Sequence, residues 1–160
     1  MAGDRTHDVA VFQWLRRRRQ ALGLTQIEVS TRASISQPNL AAIEAGNRPL
    51  GSVVEQRLAE ALAARPSEIL DRHRAALASL AIEYGIENVR VFGSVARGAD
   101  HPGSDLDLLV TIPDTASPWA LARFQRAAEE LLSVDVDVVD DHPANTGAAL
   151  HQARLHAVPL

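Results

Sequence analysis

The chain has 160 residues, with 16 basic side chains against 20 acidic ones and a formal net charge of −4, a length that holds one medium domain or two small ones. Cysteine is absent, which excludes a disulfide framework and a cysteine-held zinc site and fits a reducing compartment. No apolar run approaches bilayer-spanning length, and Met1-Ala2-Gly3-Asp4-Arg5 lacks the basic-then-apolar order of a leader peptide; the sequence therefore reads as cytoplasmic, with no membrane partner.

Charge is unevenly distributed. Residues 1–70 carry nine Arg against seven acids, whereas residues 71–160 carry seven Arg against thirteen. A mildly basic first part suits phosphate backbone and an acidic second part suits a metal ion.

Residues 9–70 read as short helices with turn punctuation. Val11, Phe12, Leu15 and Leu22 have helical spacing and end at Gly23. Thr25-Gln26-Ile27-Glu28 has the spacing of a capping box and opens a second helix. A turn through Ala33-Ser34-Ile35 leads to Ser36, an N-cap, with Pro38 in the first turn of a third helix that stops at Gly46. Helical segments at 52–63 and 66–70 follow. Two short helices joined by a tight turn, the second capped and polar on its leading edge, describe a helix-turn-helix.

The run from Gly23-Leu24-Thr25-Gln26 to Ile43-Glu44-Ala45-Gly46-Asn47-Arg48-Pro49 resembles the Cro/repressor type of helix-turn-helix, also called the xenobiotic-response-element type. The resemblance implies a phosphate contact from Gln26 and places Ser36, Gln37, Pro38 and Asn39 in the major groove of an operator. A recognition helix reads few base pairs, so a homodimer on a near-palindromic site is expected. The resemblance also pairs Arg19 with Glu44, and leaves Arg16-Arg17-Arg18 as a solvated face. Ser30 and Ser34 depart from the family's preferred Ala and Gly.

A helical segment at 71–84, with Leu77, Leu80 and Ala81 inward, runs to Gly85. Strands at 89–92, 106–111 and 134–139 then alternate with helices at 93–98, 119–132 and 144–157, an α/β pattern. Leu70-Asp71-Arg72 is the candidate boundary, giving domains 9–70 and 71–160.

The chemistry concentrates in Gly93-Ser94-Val95-Ala96-Arg97-Gly98 and Ser104-Asp105-Leu106-Asp107. A tight turn opening a short helix lets backbone N–H groups and the Ser94 hydroxyl converge on a phosphate. Asp105 and Asp107 are two apart at the mouth of an apolar strand, so both carboxylates point to one face and suit Mg²⁺. These elements, in this order, resemble the nucleotidyltransferase superfamily of DNA polymerase β type, and Arg97-Gly98 with Ser104 bring them closer to its minimal, single-domain members.

That resemblance implies a small mixed sheet, so the expected fold class is a two-domain α+β protein: an all-α helix-turn-helix bundle followed by an α/β nucleotidyltransferase fold. It further implies ATP or another NTP as substrate, with Gly93, Ser94, Arg97 and Ser104 toward the nucleotide. Asp105, Asp107 and a third carboxylate would hold Mg²⁺. Asp135 and Asp137 are both candidates for the third; the family pattern favours Asp137. Minimal members act as antitoxins, transferring AMP to a Tyr of a HEPN-type ribonuclease toxin. A small-molecule nucleotidyltransferase of aminoglycoside type and a regulator that only senses nucleotide are the alternatives. His101, His142, His151 and His156 show no metal-ligand spacing, and Trp14 and Trp119 read as core or rim packing.

Overall fold

Residues 3–160 are described by the computed structural model, with side chains from residue 11 onward except at 149; Met1 and Ala2, part of the leader reading, lie outside the described residues. The chain divides into two compact units, Met1–Ala63 and Ala64–Leu160.

The first unit consists of helices α1 (Gly3–Ala21), α2 (Gln26–Arg32), α3 (Gln37–Glu44) and α4 (Ser52–Ala61). Its core is built from Phe12, Leu15, Leu22, Val29, Leu40, Ile43 and Leu58, all buried. The Thr25 hydroxyl accepts from the Glu28 N–H while the Glu28 carboxylate accepts from the Thr25 N–H, so the capping box forms as the sequence predicts. Ser36 caps α3 through the Asn39 N–H. Ser34 takes φ +53° in the turn between them, a left-handed conformation that costs a side-chain-bearing residue more than glycine. Ser30 is buried and returns its hydroxyl to the Ile27 carbonyl at 2.9 Å.

Arg19 and Glu44 tie α1 to α3. The guanidinium grips the carboxylate with two bonds, Nε to Oε1 at 2.7 Å and Nη2 to Oε2 at 2.9 Å, and also donates to the Leu24 carbonyl. Burial pushes the Glu44 carboxyl up, but the bonds from Arg19 and Gln26 outweigh it and hold the group below its ordinary range.

The three preceding arginines do not behave alike. Arg16 and Arg17 are exposed, whereas Arg18 is buried and donates Nε to the Leu62 carbonyl at 3.2 Å. The solvated-face reading is therefore corrected at Arg18: Leu15, Arg18 and Leu22 follow the i, i+3, i+7 stripe that turns inward. Trp119 also departs from expectation, being 72% exposed rather than packed.

In the second unit, α5 (Pro66–Glu83) is one continuous helix where two segments, breaking at residues 70 and 71, were expected. Leu70 is buried and Asp71 exposed, so the polar pair that suggested a break is the outer face of an uninterrupted helix. Next come β1 (Glu87–Val91), α6 (Gly93–Ala96), β2 (Leu106–Thr111), α7 (Ala120–Leu132), β3 (Val136–Asp140), α8 (Ala148–His156) and β4 (Val158–Pro159). The sheet order is β3-β2-β1-β4, with β2 and β3 parallel and β1 antiparallel to both β2 and β4. This is the mixed sheet the resemblance implies; β4, two residues long, was not anticipated.

Leu106, Leu108, Val110 and Val136 are buried, with α5 and α7 packed on each other and on β1 and β3. Alternation sends Asp107 to the opposite face of β2.

Removing Glu44 while leaving Arg19 strands a charge whose side chain is 13% exposed opposite a carboxylate that is 4% exposed. Glu44→Ala should cost the first unit about 3 kcal/mol in denaturant unfolding. Because the Glu44 pKa is depressed in the folded chain, the stabilisation is present above the unfolded carboxylate's range and lost as pH falls through the folded value. The gap between wild type and variant should therefore close in acid.

Candidate active site and DNA-reading surface

The second unit's site is built where β1 ends against β2. The Phe92 N–H donates to the Asp107 carbonyl at 3.0 Å, and Gly93 then turns the chain into α6 with φ +67°. A Cβ at position 93 would lie 1.8 Å from Oδ2 of Asp107. Glycine is thus demanded twice, by the backbone angle and by a carboxylate lying against the turn.

In the parallel register Asp107 stands opposite Asp137, one strand across on the same face. Asp105 precedes β2 by one residue and is two positions from Asp107, so it points the same way. Asp135 lies before β3, with an exposed side chain and a carbonyl that accepts from the Leu106 N–H at 2.9 Å. Burial raises the Asp107 pKa above the ordinary carboxylate range, Asp137 and then Asp105 raise it further, and Arg97 opposes them. Asp137, Asp105 and Arg97 thus all act electrostatically on Asp107.

Hard oxygen donors that repel one another on one sheet face are suited to a divalent cation, and fit Mg²⁺ in kind. They are not a finished cage: among the described residues no three His, Cys, Asp or Glu side chains stand close enough to hold an ion together. Asp105 and Asp137 are exposed.

The remaining expected residues divide. Ser94 is in the first turn of α6, and the first N–H groups of a helix have no partner within it. Arg97, at the end of α6, is exposed. Ser104 faces its own loop: its hydroxyl accepts from the His101 N–H at 3.0 Å and its N–H donates to the His101 carbonyl at 2.9 Å, closing the turn that leads into Asp105.

Two positioning groups escaped the sequence. Asp100 is buried and accepts from the Ser67 N–H at 2.9 Å, capping α5 from outside that helix. Arg65, at the N-cap position, makes no such bond, and Pro66 follows it; a helix start lacking a local acceptor was the available signal. Asp141, one residue beyond β3, binds both Arg90 of β1 and Arg154 of α8. The hydrogen bond from Arg154 and then that from Arg90 overcome burial and keep its carboxyl below the usual range.

In the first unit two of the expected DNA-facing residues, Gln26 and Gln37, are linked to each other. Gln26 Nε2 donates to Glu44 at 3.0 Å, and Gln37 Nε2 donates to Gln26 Oε1 at 2.8 Å. Gln37 and Asn39 both lie in the first turn of α3, and Ser36 caps it. Asn39 has its Oδ1 buried and lacking a hydrogen-bond partner among the described residues.

The nucleotidyltransferase domain model matches residues 70–155, and a helix-turn-helix domain model matches residues 13–71. Two proposed protein adenylyltransferases of Methanocaldococcus jannaschii are similar: one is 32% identical over 75 residues, 45% of this chain and 81% of that one. The other is 29% identical over 72 residues, 45% of this chain and 80% of that one. A solved structure described as a proposed minimal nucleotidyltransferase is 40% identical, covering 59% of this chain and 95% of its own, with a TM-score of 0.52.

Asp107 carries a stability penalty that is checkable without substrate. Since its pKa is raised in the folded chain, ionisation opposes folding; the penalty is absent below the unfolded carboxylate's range and appears as pH rises through the folded value. In chelator, Asp107→Asn should unfold at a higher temperature than wild type at neutral pH, and the advantage should vanish in acid.

Proposed function

The chain belongs to the nucleotidyltransferase domain family, and from that premise we propose that it transfers AMP from ATP onto a protein hydroxyl, a Tyr of a HEPN-type toxin, while its first unit binds operator DNA. The observation that carries the reading is the packing of the Gly93 turn against Asp107, which itself faces Asp137 across the sheet. A phosphate cradle and a carboxylate cluster in contact can serve the two ends of one bond-breaking event.

Asp105, Asp107 and Asp137 would hold Mg²⁺, which supplies charge neutralisation on the triphosphate and on the leaving pyrophosphate. The N–H groups of the Gly93–Ser94 turn and the Ser94 hydroxyl bind phosphate oxygens. Arg97 adds positive charge beside them. Asp137, on the exposed rim of the cluster, accepts the proton of the attacking hydroxyl. That oxygen bonds to the α-phosphorus, the bond between the α-phosphorus and its bridging oxygen breaks, and pyrophosphate departs with the electron pair.

A protein acceptor is supported by the similar chains from Methanocaldococcus jannaschii, which carry the name of protein adenylyltransferases.

The transfer reading is tested by incubating the chain with the product of the adjacent reading frame, labelled NTPs and Mg²⁺, followed by intact-mass measurement. One nucleotide should be gained on the partner, with ATP preferred. Asp105→Asn and Asp107→Asn should each abolish nearly all transfer, the pair together being scarcely worse. Gly93→Ala should match them, because its methyl group displaces Asp107. Asp137→Asn should slow the chemical step while leaving nucleotide binding largely intact, and Asp135→Asn should matter little. The reverse order at 135 and 137 would reassign the third carboxylate, and full activity of both the 105 and 107 variants would end the transferase mechanism proposed here.

For the first unit, Gln37→Ala should alter sequence preference in a gel-shift series, whereas Gln26→Ala should weaken binding to all sequences alike. Absence of salt-sensitive binding to the upstream promoter would remove operator DNA as a partner.

A further inference from the structure

Between α6 and β2 the chain runs over the surface, with Arg97, Gly98, Ala99, His101, Pro102 and Gly103 all exposed; the residue among them that turns inward is Asp100, 6% exposed. Its Oδ2 accepts from the Ser67 N–H, while its Oδ1 is buried and has no hydrogen-bond partner among the described residues. A buried carboxylate oxygen without a donor is destabilising, and an apolar side chain of similar size would anchor a loop without that cost. What the carboxylate adds is direction: a hydrogen bond fixes distance and angle to the head of α5, which apolar burial does not. The bonds on either side of it are local. At one end the Gly98 N–H donates to the Val95 carbonyl and the Ala99 N–H to the Ser94 carbonyl; at the other, Ser104 closes on His101. The loop then delivers Asp105. Asp107 and Asp137 lie inside β2 and β3, where the ladder sets them opposite each other, but that register begins with Leu106 and Val136, one residue too late to place Asp105.

Resting on the reading of Asp105, Asp107 and Asp137 as an Mg²⁺ site, we propose that Asp100 is a positioning residue for that site: by holding the loop to Ser67 it fixes where Asp105 stands against the other two carboxylates, and so sets their affinity for the ion. Asp100 is not itself a ligand. Groups outside the ligand set that orient it have effects of this kind, their loss weakening metal binding by about 10- to 100-fold. The chemical step is left alone. Asp137, which takes the proton, is placed by its strand, and the Gly93 turn is placed by the bond from the Phe92 N–H to the Asp107 carbonyl. Loss of the Asp100 bond therefore acts on the occupancy of the ion and not on the rate once the ion is bound.

The experiment is binding of Mn²⁺ to the full-length chain with a non-hydrolysable ATP analogue, followed by electron paramagnetic resonance, set beside the Mg²⁺ dependence of transfer. Asp100→Ala should weaken Mn²⁺ binding by about tenfold or more and raise the half-saturating Mg²⁺ concentration by the same factor, with the limiting rate at saturating Mg²⁺ retained. Asp100→Asn, whose side-chain oxygen still accepts from the Ser67 N–H, should recover most of the affinity. Asp100→Leu fills the same space without accepting a bond; it should match Asp100→Ala, and it carries the test if Asp100→Ala fails to fold by circular dichroism. A wild type that binds no Mn²⁺ overturns the ion-site reading, and the role of Asp100 with it. If wild type binds Mn²⁺ and Asp100→Ala and Asp100→Leu bind it equally well, the role of Asp100 alone falls. A reduced limiting rate with unchanged Mn²⁺ affinity, or an Asp100→Asn as weak as Asp100→Ala, overturns that role as well.

Discussion

Between Gly93 and Asp107 there is no room for a methyl group, and much of the second unit's arrangement depends on that closeness. The turn can begin there only because β1 and β2 are antiparallel neighbours, with the Phe92 N–H bonded to the Asp107 carbonyl. The carboxylate can press against the turn only because alternation along β2 turns it away from Leu106 and Leu108, which are buried. The parallel pairing of β2 with β3 then sets Asp137 beside it. A register slip of one residue would send Asp107 into the apolar core and a leucine toward the turn. Hydrophobic burial thus enforces, through strand period, a placement of charge that electrostatics alone opposes: Asp107 is both partly desolvated and repelled by its neighbours.

The first unit solves a different problem, that of holding polar side chains in fixed positions on a surface. Arg19 anchors Glu44, Glu44 accepts from Gln26, and Gln26 accepts from Gln37. A chain of bonds therefore runs from a partly buried ion pair to the leading turn of α3. Each link restricts the rotamers of the next, so part of the ordering entropy that a long amide would lose on binding is already lost in the free chain.

Much of this was legible in the sequence, and the failures have physical causes. Strand β2 was expected at 106–111 and is found at Leu106–Thr111, because a strongly apolar run bounded by acidic and Pro-containing segments has one reading. Capping chemistry at Thr25 and Ser36 is local and was equally readable. Pattern reading lost ground where polarity and burial part company. Arg18 looks like its neighbours in an arginine run, yet helical phase turns it inward to a backbone carbonyl. Asp71-Arg72 looks like a break between two helical segments, yet α5 runs through and carries both on its outside. Strand β4 is too short to show a period. Placing Asp107 opposite Asp137 required a register that spans 30 positions of sequence, and Asp100 and Asp141 find partners that only the folded chain brings near.

Asp100 supplies the start of α5 from across the fold, 33 residues away in sequence. The loop that follows the Gly93–Ala96 turn is therefore also a terminus for a distant helix, and neither is complete without the other. The Ser67 amide can exchange its proton with solvent only when the Asp100 carboxylate lets go, so its protection records the opening of the loop that follows the Gly93 turn as well as the fraying of its own helix. A single backbone amide at the head of α5 is in that sense a clock for motion at the other end of the bond.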